Sequence, residues 1–398
     1  MRRSLVYLFV LALYFTLEGQ KTFHFASGFE SGTFIRQYEK NGVPDHKYAD
    51  VYGLDKTTSF DWVDDLDNNE DIGNFRIYYE VGDTAAAKAS ISSDPLDKTN
   101  SVLKFQLDAA NVPNGGHPKG RIQAAISESS NLIEFYFKVR LYIHPDVNIL
   151  RQSNRDITWF TLMEFWNNVS SKPFPFRITL NIQKPENEAN TPLYFGAHAQ
   201  TKAGKGKWDD VWSVLDTSME VKVGEWVTLE TYLLEGGAES GRYKVILTDS
   251  AGNAHTLFDI TGFTYHPDDP SPDGFKMFNP MKLYTSGTLI EGMKKSHAQL
   301  SVYWDDFEIW TNSNPLSVQN TKAGKIKLYP NPVDQYLMMD DYQSVESIYI
   351  HDLTGALKRS IPSFNSEFLD VSALSKGVYI ITITKKSGES YHTKMIKR

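Results

Sequence analysis

Two neighbouring stretches of the sequence combine strand-like alternation with an unusual set of polar side chains. FRITLNIQK covers Phe176–Lys184, and LYFGAHAQ covers Leu193–Gln200. Every second residue in each stretch is apolar, as expected of a β-strand with one face on a core. The opposite face carries amides, a guanidinium, an imidazole and a phenol, which belong to Arg177, Asn181, Gln183, Tyr194, His198 and Gln200.

Two further stretches extend this polar set. GRIQAAI places Arg121 and Gln123 on one face and apolar residues on the other. PMKLYTSG does the same with Lys282 and Tyr284. The orientation of Glu164 in FTLMEFW is ambiguous, because apolar residues lie at both parities around it. We therefore expect a groove on one face of a sheet, lined by donors and a tyrosine.

This mixture of side chains suits β-elimination of a uronate-containing polysaccharide. Donors must neutralise the sugar carboxylate so that the neighbouring C–H becomes acidic and the enolate-like intermediate is stabilised. A base then removes the proton, and an acid protonates the leaving glycosidic oxygen. Arg, Gln, Asn, His and Lys can act as the donors, and Tyr as the acid, or as the base if cations lower its pKa.

Three residues are the candidates for proton transfer. Tyr284 is the predicted acid or acid/base, and the alternative is a surface tyrosine that caps the sheet. His198, which lies among small residues, is the predicted base or carboxylate neutraliser, and the alternative is a hydrogen-bonded structural histidine. Lys184, just before Pro185, is an alternative base. The predicted substrate-binding residues are Arg121, Gln123, Arg177, Asn181, Gln183, Tyr194, Gln200 and Lys282.

Glycoside hydrolysis is the competing chemistry, and it needs two carboxylates across the scissile bond. The sequence has no E-x-D-x-E or E-x-D-x-x-E strand motif, and Glu164 is the one carboxylate that is well sited. Asp305, Asp306 and Glu308 fall on a late strand, as structural residues or as part of a calcium site. We predict no catalytic metal and no required cofactor, and leave a structural calcium ion open.

The composition fits a globular, exported protein. The chain has 398 residues, of which 41% are hydrophobic and 13% aromatic, so a large core is expected. The formal net charge of −8 and the lack of a basic stripe exclude nucleic acid as a partner. The absence of cysteine excludes disulfides, thiolate metal sites and cysteine nucleophiles.

The chain divides into four predicted segments. Residues 1–20 have a signal-peptide layout, with MRR followed by the apolar run SLVYLFVLALYF. Residues 21–312 contain many alternating strands separated by Gly, Pro, Asn and Asp turns. They predict an all-β fold, a β-jelly roll or concanavalin-like sandwich. Residues 313–324 are a polar linker, and 325–398 a small C-terminal β-sandwich.

The C-terminal segment resembles the sorting domain of the type IX secretion system of Bacteroidetes. The resemblance rests on LYPNPV, the DLTG turn, LSKGVYII and the final KMIKR. It implies recognition by the type IX secretion machinery and passage to the cell surface or the medium.

Residues 23–310 resemble the ulvan lyases of polysaccharide lyase family 28. The matching stretches, in order, are RIQ, LMEFWNN, FRITLNIQKP, LYFGAHAQ, GEWVTLETYLLEG, NPMKLYTSG and YWDDFEIW. The alginate-lyase patterns R-T-E-L-R, Q-I-H and Y-F-K-A-G are absent. The resemblance implies endolytic cleavage of ulvan, a sulfated rhamnose–uronate polymer, with cations such as Arg121 and Lys282 binding sulfate or carboxylate.

We therefore predict a secreted, monomeric polysaccharide lyase that acts on an anionic algal polysaccharide. A non-catalytic carbohydrate-binding surface protein would present the same groove without forming an unsaturated uronate. A jelly-roll glycoside hydrolase would form reducing ends without a double bond.

Overall fold

A computed structural model of the chain describes residues 21–40, 42–67, 69, 71–80, 84–111, 117–203, 207–312, 328–329, 332–339, 342–352, 357–386 and 390–398. The predicted signal peptide (1–20) and linker (313–324) lie outside the described residues. The chain separates into two compact units, of which the larger is Gln20–Asn312 and the smaller contains Ser313–Arg398. None of the helices described here is long and apolar enough to cross a bilayer.

The larger unit consists of two antiparallel sheets, with strands numbered along the chain. One sheet has the order β15-β14-β13-β8-β17-β6-β5, with β1 also paired to β17. Its strands are β1 (Lys21–Ser27), β5 (Ala87–Ser93), β6 (Ser101–Leu107), β8 (Glu134–Ile143), β13 (Trp226–Leu234), β14 (Arg242–Thr248), β15 (Ala254–Thr261) and β17 (Leu300–Asn312).

The second sheet of this unit has the order β12-β11-β10-β9-β16-β7-β4-β3-β2. Its strands are β2 (Phe34–Lys40), β3 (Val43–Tyr52), β4 (Asn74–Tyr79), β7 (Lys119–Leu132), β9 (Phe160–Asn168), β10 (Phe176–Gln183), β11 (Tyr194–Ala203), β12 (Lys207–Glu220) and β16 (Phe275–Ser286). At the centre of this sheet, β9, β16, β7 and β4 are neighbours although they are distant in sequence, as in a jelly roll. The predicted all-β fold is confirmed.

One continuous apolar core fills the space between the two sheets. Phe137 and Leu229 from the first sheet and Ile178 and Leu283 from the second are fully buried in it. The alternation read from the sequence explains this arrangement, because each strand turns one set of side chains to the core and the other outwards.

Short helices and side-chain-bonded turns connect the strands. A π-helical turn covers Trp62–Asp67, and a 3-10 helix covers Pro145–Gln152. Helix α1 (Gly287–Lys295) directly follows β16, and the Ser286 side chain accepts a hydrogen bond from its first turn. Asp249 organises the β14–β15 turn by accepting from two backbone N–H groups.

The smaller unit is a compact pair of sheets with its own core. A three-stranded sheet has the order β18-β19-β22, and a four-stranded sheet the order β21-β20-β23-β24. The strands are β18 (Leu328–Tyr329), β19 (Tyr336–Met339), β20 (Val345–Asp352), β21 (Leu357–Ile361), β22 (Phe368–Asp370), β23 (Gly377–Lys385) and β24 (Ser390–Lys397), with a 3-10 turn at Tyr342–Ser344. Leu337 and Ile381 are fully buried between the sheets, as expected of the predicted small sandwich.

The core assignment can be tested on β10. Leu180 is fully buried, so Leu180→Ala should leave a cavity and lower the free energy of unfolding by about 2–5 kcal/mol. Leu96→Ala is the matched control, because Leu96 is 62% exposed and its loss should cost less than about 0.5 kcal/mol. Denaturant unfolding of the full chain measures both. Equal losses in the two variants would contradict the assigned orientation of β10.

Candidate active site on the outer face of the second sheet

Strands β10 and β11 pair so that their polar side chains lie side by side. Arg177 is opposite Gln200, and Gln183 is opposite Tyr194. The alternate residues Phe176, Ile178, Leu180, Ile182, Phe195, Ala197 and Ala199 are buried in the core. The predicted alternation of both strands is therefore confirmed. We call the outer side of the second sheet, which carries Arg177, Gln183, Tyr194 and Gln200, the polar face.

The predicted polar residues of β7 and β16 join the same face. Arg121 is opposite Tyr284, and Gln123 is opposite Lys282. Strand β9 lies between β16 and β10, with Glu164 opposite Thr179. The bulges that β9 forms with both neighbours explain why simple alternation left the orientation of Glu164 ambiguous.

Glu164 is the centre of a charged network on the polar face. Its Oε1 lies 3.0 Å from Nη1 of Arg177, and its Oε2 pairs with the ammonium of Lys282. Nε and Nη2 of Arg177 donate to Oε1 of Gln200 at 3.0 and 2.8 Å. One carboxylate thus links three strands, and the two bonds to Gln200 fix the plane of the guanidinium.

Burial makes the Glu164–Lys282 pair unusual. The two side chains are 2% and 0% exposed. Burial alone would raise the pKa of Glu164, but Lys282, Arg177 and Arg121 overcome it and lower that pKa to about 2. Burial lowers the pKa of Lys282 to about 8, and the attraction of Glu164 limits the fall. Both groups are therefore charged at neutral pH, and Glu164 holds no proton that it could donate.

Tyr284 lies among cations at one end of this network. Its ring centroid is 5.0 Å from Nζ of Lys282, 5.2 Å from Cζ of Arg121 and 5.8 Å from Nζ of Lys119. The Trp159 ring meets it edge to face at 4.6 Å. Burial raises the pKa of Tyr284 to about 12, against the lowering effect of Arg121. The phenol therefore carries its proton at neutral pH.

Arg121 is held in place from two sides. Its Nε lies 2.7 Å from Oε2 of Glu80, the residue that follows β4. Its guanidinium also contacts the Tyr78 ring, with Cζ 4.8 Å from the ring centroid, in addition to the Tyr284 ring. These contacts orient the guanidinium while leaving the side chain partly exposed.

His198 belongs to a second polar cluster of the same face. Its Nδ1 lies 3.1 Å from Oδ2 of Asp210, and its Nε2 lies 2.5 Å from Nε2 of Gln183. Gln200 donates to the other carboxylate oxygen of Asp210 at 2.8 Å. The network assigns the Nδ1–H tautomer of the neutral ring, in which the carboxylate accepts from Nδ1 and the lone pair of Nε2 faces Gln183.

The predicted substrate-binding residues divide into a buried floor and an accessible layer. Lys282, Gln123 and Asn181 are buried. Asn181 accepts from Thr161 at 2.7 Å and donates to Thr179 at 2.9 Å, so these bonds fix its amide. The partly exposed members of the polar face are Arg121, Arg177, Gln183, Tyr194, His198, Gln200 and Tyr284, and a ligand would meet these first.

The structure does not bring Lys184, the alternative base, to the polar face. Lys184 is fully buried, and its backbone forms a bridge with Ile157. Its ammonium donates to the carbonyl oxygens of Ser153, Glu186 and Glu188 at 2.9, 2.7 and 2.5 Å. These bonds tie two loops together, and we keep Lys184 out of the mechanism proposed below.

Several contributors to the polar face were missed by sequence reasoning. Tyr78 and Glu80 follow the alternation of NFRIYYE, which could have revealed them. Trp208 could have been found in KWDDVW, and the guanidinium of Arg177 lies 4.0 Å from its ring centroid. Trp159 precedes β9 in a loop, where periodicity gives no signal.

The imidazoles and carboxylates of the chain are also candidate metal ligands. Within the described ranges, no three His, Asp or Glu side chains are grouped so that they could hold a metal ion. Asp305 accepts from Asn100 at 2.9 Å and from Arg140 at 3.3 Å. The structural calcium ion stays a prediction that these contacts do not test.

Comparison with known proteins identifies the C-terminal region. Residues 327–398 match the family model described as Secretion system C-terminal sorting domain. The chain carries a secretion sorting domain. The predicted export to the cell surface or the medium is therefore confirmed, and the match falls on the smaller structural unit.

Similarity to characterised enzymes is limited in extent. An ulvan lyase of Nonlabens ulvanivorans is 33% identical over 98 residues, which are 23% of this chain and 18% of that protein. The chain thus spans less than a fifth of that relative's length.

Solved structures of two polysaccharide lyases are also similar. A PL-14 alginate lyase from Aplysia kurodai has a TM-score of 0.38 at 12% identity, over 59% of this chain and 90% of that one. An endo-beta-1,4-glucuronan lyase from Trichoderma reesei has a TM-score of 0.36 at 14% identity, with the same coverage. At these TM-scores neither structure bears on the function of this chain.

The buried ion pair predicts strong coupling between its two members. Glu164→Gln leaves the Lys282 ammonium buried without its counterion, and Lys282→Met leaves the buried carboxylate with Arg177 as its cation. Each single variant should therefore lose about 3–5 kcal/mol of unfolding free energy. The double variant should recover most of that loss, because neither charge remains. Denaturant unfolding of all four proteins measures the coupling, and purely additive losses would contradict it.

The low pKa of Glu164 predicts a specific dependence of stability on pH. The folded-state pKa of about 2 lies below the ordinary value of 4.5, so the carboxylate stabilises the fold above pH 4.5. This contribution is lost as the pH falls from 4.5 towards 2. The difference in unfolding free energy between the wild type and Glu164→Gln should shrink over that range. A difference that stays constant from pH 7 to 2 would show that Glu164 has an ordinary pKa.

Proposed function

We propose that the larger unit is a polysaccharide lyase, which cleaves a uronate-containing polymer by β-elimination. The observation that carries this proposal is the charge around a protonated tyrosine. The cations Lys119, Arg121, Arg177 and Lys282 surround Tyr284 and the network beside it, with the carboxylates Glu80 and Glu164 as their counterions. Together these six side chains carry an excess of two positive charges, which favours an anionic ligand.

The two arginines are suited to neutralising the sugar carboxylate. Both guanidinium groups are partly exposed, and each is oriented by a carboxylate behind it. A planar guanidinium binds a carboxylate through parallel N–H donors. Drawing charge from the carboxylate acidifies the neighbouring C–H and stabilises the enolate-like intermediate. Because the donors are already held in place, little reorganisation is needed.

Tyr284 and His198 supply the proton transfers in this proposal. Nε2 of His198 takes the proton from the carbon next to the carboxylate, after Gln183 moves aside. The electrons of that C–H bond form the carbon–carbon double bond, and the bond to the glycosidic oxygen breaks. Tyr284 gives its proton to the departing oxygen. Proton exchange with water then restores the neutral imidazole and the phenol.

The positions of the two strands set a requirement for these roles. β11 and β16 are separated by β10 and β9, which sets their backbones about 14 Å apart at the usual strand spacing. Through the register, Tyr284 lies level with Gly196, two residues from His198 along β11. Both side chains must therefore turn towards Glu164 to reach one sugar. A uronate bound above Glu164 would have one group on each side.

The two carboxylates nearest Tyr284 in the network disfavour the glycoside hydrolase alternative. A hydrolase needs a protonated carboxyl group as acid and a second carboxylate as base or nucleophile. The pKa of Glu164 is lowered to about 2, so this group is ionised at neutral pH. Glu80 is paired with Arg121 and Lys119. Neither carboxylate therefore fits the acid role.

Ulvan is the substrate we propose within this class. The partial likeness to an ulvan lyase supports this choice, as does the excess of cations, because ulvan carries sulfate in addition to carboxylate. Alginate and glucuronan carry carboxylate alone and are the informative comparisons.

The Tyr284→Phe variant tests the proposed function. The full chain, incubated with ulvan, should produce the ultraviolet absorbance of a conjugated unsaturated uronate. Tyr284→Phe removes the proton donor and should reduce the rate by about 10²–10⁴-fold, with an unchanged unfolding midpoint. Tyr232→Phe is the matched control, because the Tyr232 hydroxyl bonds to Glu134 on the other sheet.

Three outcomes of this assay would contradict the proposal. A normal rate in Tyr284→Phe would overturn the acid assignment. New reducing ends without ultraviolet absorbance would indicate a hydrolase. Polymer binding without cleavage of ulvan, alginate or glucuronan would indicate a carbohydrate-binding protein.

A further inference from the structure

Four aromatic rings form a continuous row on the outer side of the first sheet. Phe23 of β1 is opposite Trp310 of β17, and Trp310 is opposite Tyr136 of β8. The ring centroids of these two pairs are 5.2 and 5.0 Å apart. Phe60 extends the row beyond β1, with its ring centroid 5.5 Å from that of Phe23. We call these four side chains the aromatic row.

The aromatic row leaves ring surface open to a ligand. All four side chains are at least partly exposed, and Phe23 is 45% exposed. The ring of Trp310 is tilted by 44° against Phe23 and by 55° against Tyr136, so these neighbours do not cover one another face to face. The Tyr136 hydroxyl donates to Oε2 of Glu230 at 2.5 Å, which holds its ring in place. Contiguous exposed apolar groups with a polar rim are typical of a binding surface.

The aromatic row and the polar face lie on opposite sides of the larger unit. One apolar core fills the space between the two sheets, and each strand turns alternate side chains away from it. Trp310 follows Ile309, and Tyr136 precedes Phe137, both of which are fully buried in that core. A ligand on the aromatic row therefore leaves the polar face accessible.

The charge beside the aromatic row is opposite in sign to that of the polar face. Lys138 lies 2.6 Å from Glu308 and is opposite Glu230, and Glu134 is on the same side of β8. These three carboxylates and one ammonium carry an excess of two negative charges. The polar face has an excess of positive charge. A polyanion is therefore attracted to the polar face and disfavoured at the aromatic row.

We propose that the aromatic row is a second, non-catalytic site, which binds an uncharged β-1,4-linked polysaccharide. The C–H faces of its sugars would stack on the rings, since aromatic side chains combine a large apolar surface with specific geometry. Its hydroxyl groups would donate to Glu230 and Glu308, because ionised carboxylates accept hydrogen bonds and donate none. The rings on β1, β17 and β8 span two strand spacings, about 10 Å, so the row suits a chain of sugars better than a single sugar.

This inference goes beyond the proposed function, because the row binds a polymer that the polar face does not attract. A protein with both sites would hold an uncharged glycan on one side and an acidic one on the other.

Calorimetry with two probes tests the aromatic row. The probes are cellohexaose, which is uncharged, and a β-1,4-linked glucuronate hexasaccharide, which differs by a carboxylate on each sugar. The full chain is used throughout, with Tyr284→Phe in all proteins so that the acidic probe stays intact. Cellohexaose should bind, and a tenfold rise in salt concentration should change its Kd less than twofold, because contacts of this kind are not screened.

Substitutions in the aromatic row should weaken the binding of cellohexaose alone. We expect the Kd to rise about threefold in Phe23→Ala and about tenfold in Trp310→Ala. Trp310→Phe keeps a ring and should restore most of the affinity. Phe174→Ala is the matched control, because Phe174 is 37% exposed between β9 and β10 of the second sheet, and its Kd should equal that of the parent. The Kd of the glucuronate probe should change less than twofold in every variant.

Other outcomes would overturn the aromatic row as a glycan site. These are no binding of cellohexaose, an unchanged Kd in both Phe23→Ala and Trp310→Ala, or equal weakening of the two probes. A dimer in light scattering that Trp310→Ala dissociates, without cellohexaose binding, would instead assign the row to self-association. Phe23 is half-exposed, so Phe23→Ala provides the test even where Trp310→Ala fails to fold. The cellohexaose result does not depend on whether the polar face cleaves any polymer.

Discussion

The carboxylate of Glu164 is the constraint on which the polar face depends. It is buried in the middle of a sheet whose outer face would otherwise place an ammonium and a guanidinium close together. Removing such charges from water is costly unless they are paired with good geometry. The single carboxylate satisfies both, so Lys282 can be fully buried and Arg177 can be fixed while still partly exposed.

In this arrangement, the buried charged pair lies beneath the side chains that a ligand could contact. The floor of the polar face, with Lys282 and Glu164, sets the local field without meeting solvent. In the accessible layer, Arg121 and Arg177 are each paired with a carboxylate. Preorganised donors of this kind stabilise charge that develops in a transition state more effectively than mobile ones do. The proposed lyase chemistry uses the layer for binding and proton transfer, and the floor for electrostatics.

Much of this site could be predicted from the alternation of residues along strands. The period of two placed His198, Arg177 and Tyr284 on one face because each strand has an unbroken apolar set opposite. Lys184 shares the parity of the apolar set of β10, and the structure buries it there, bonded to loop carbonyls. It could not orient Glu164, because bulges interrupt the register on both sides of β9. Trp159 lies in a loop, which carries no period.

The central claim is that the buried ion pair organises a site for elimination, and the Glu164→Gln/Lys282→Met double variant tests it most directly. Its net charge equals that of the wild type and its core is intact, but Arg177 has lost its carboxylate partner and keeps its two bonds to Gln200. The initial rate of double-bond formation from ulvan should be compared between this variant and the wild type, at equal concentrations of folded protein. We expect kcat/KM to fall at least tenfold. An unchanged kcat/KM in the folded double variant would show that the pair serves stability alone, and would contradict the account.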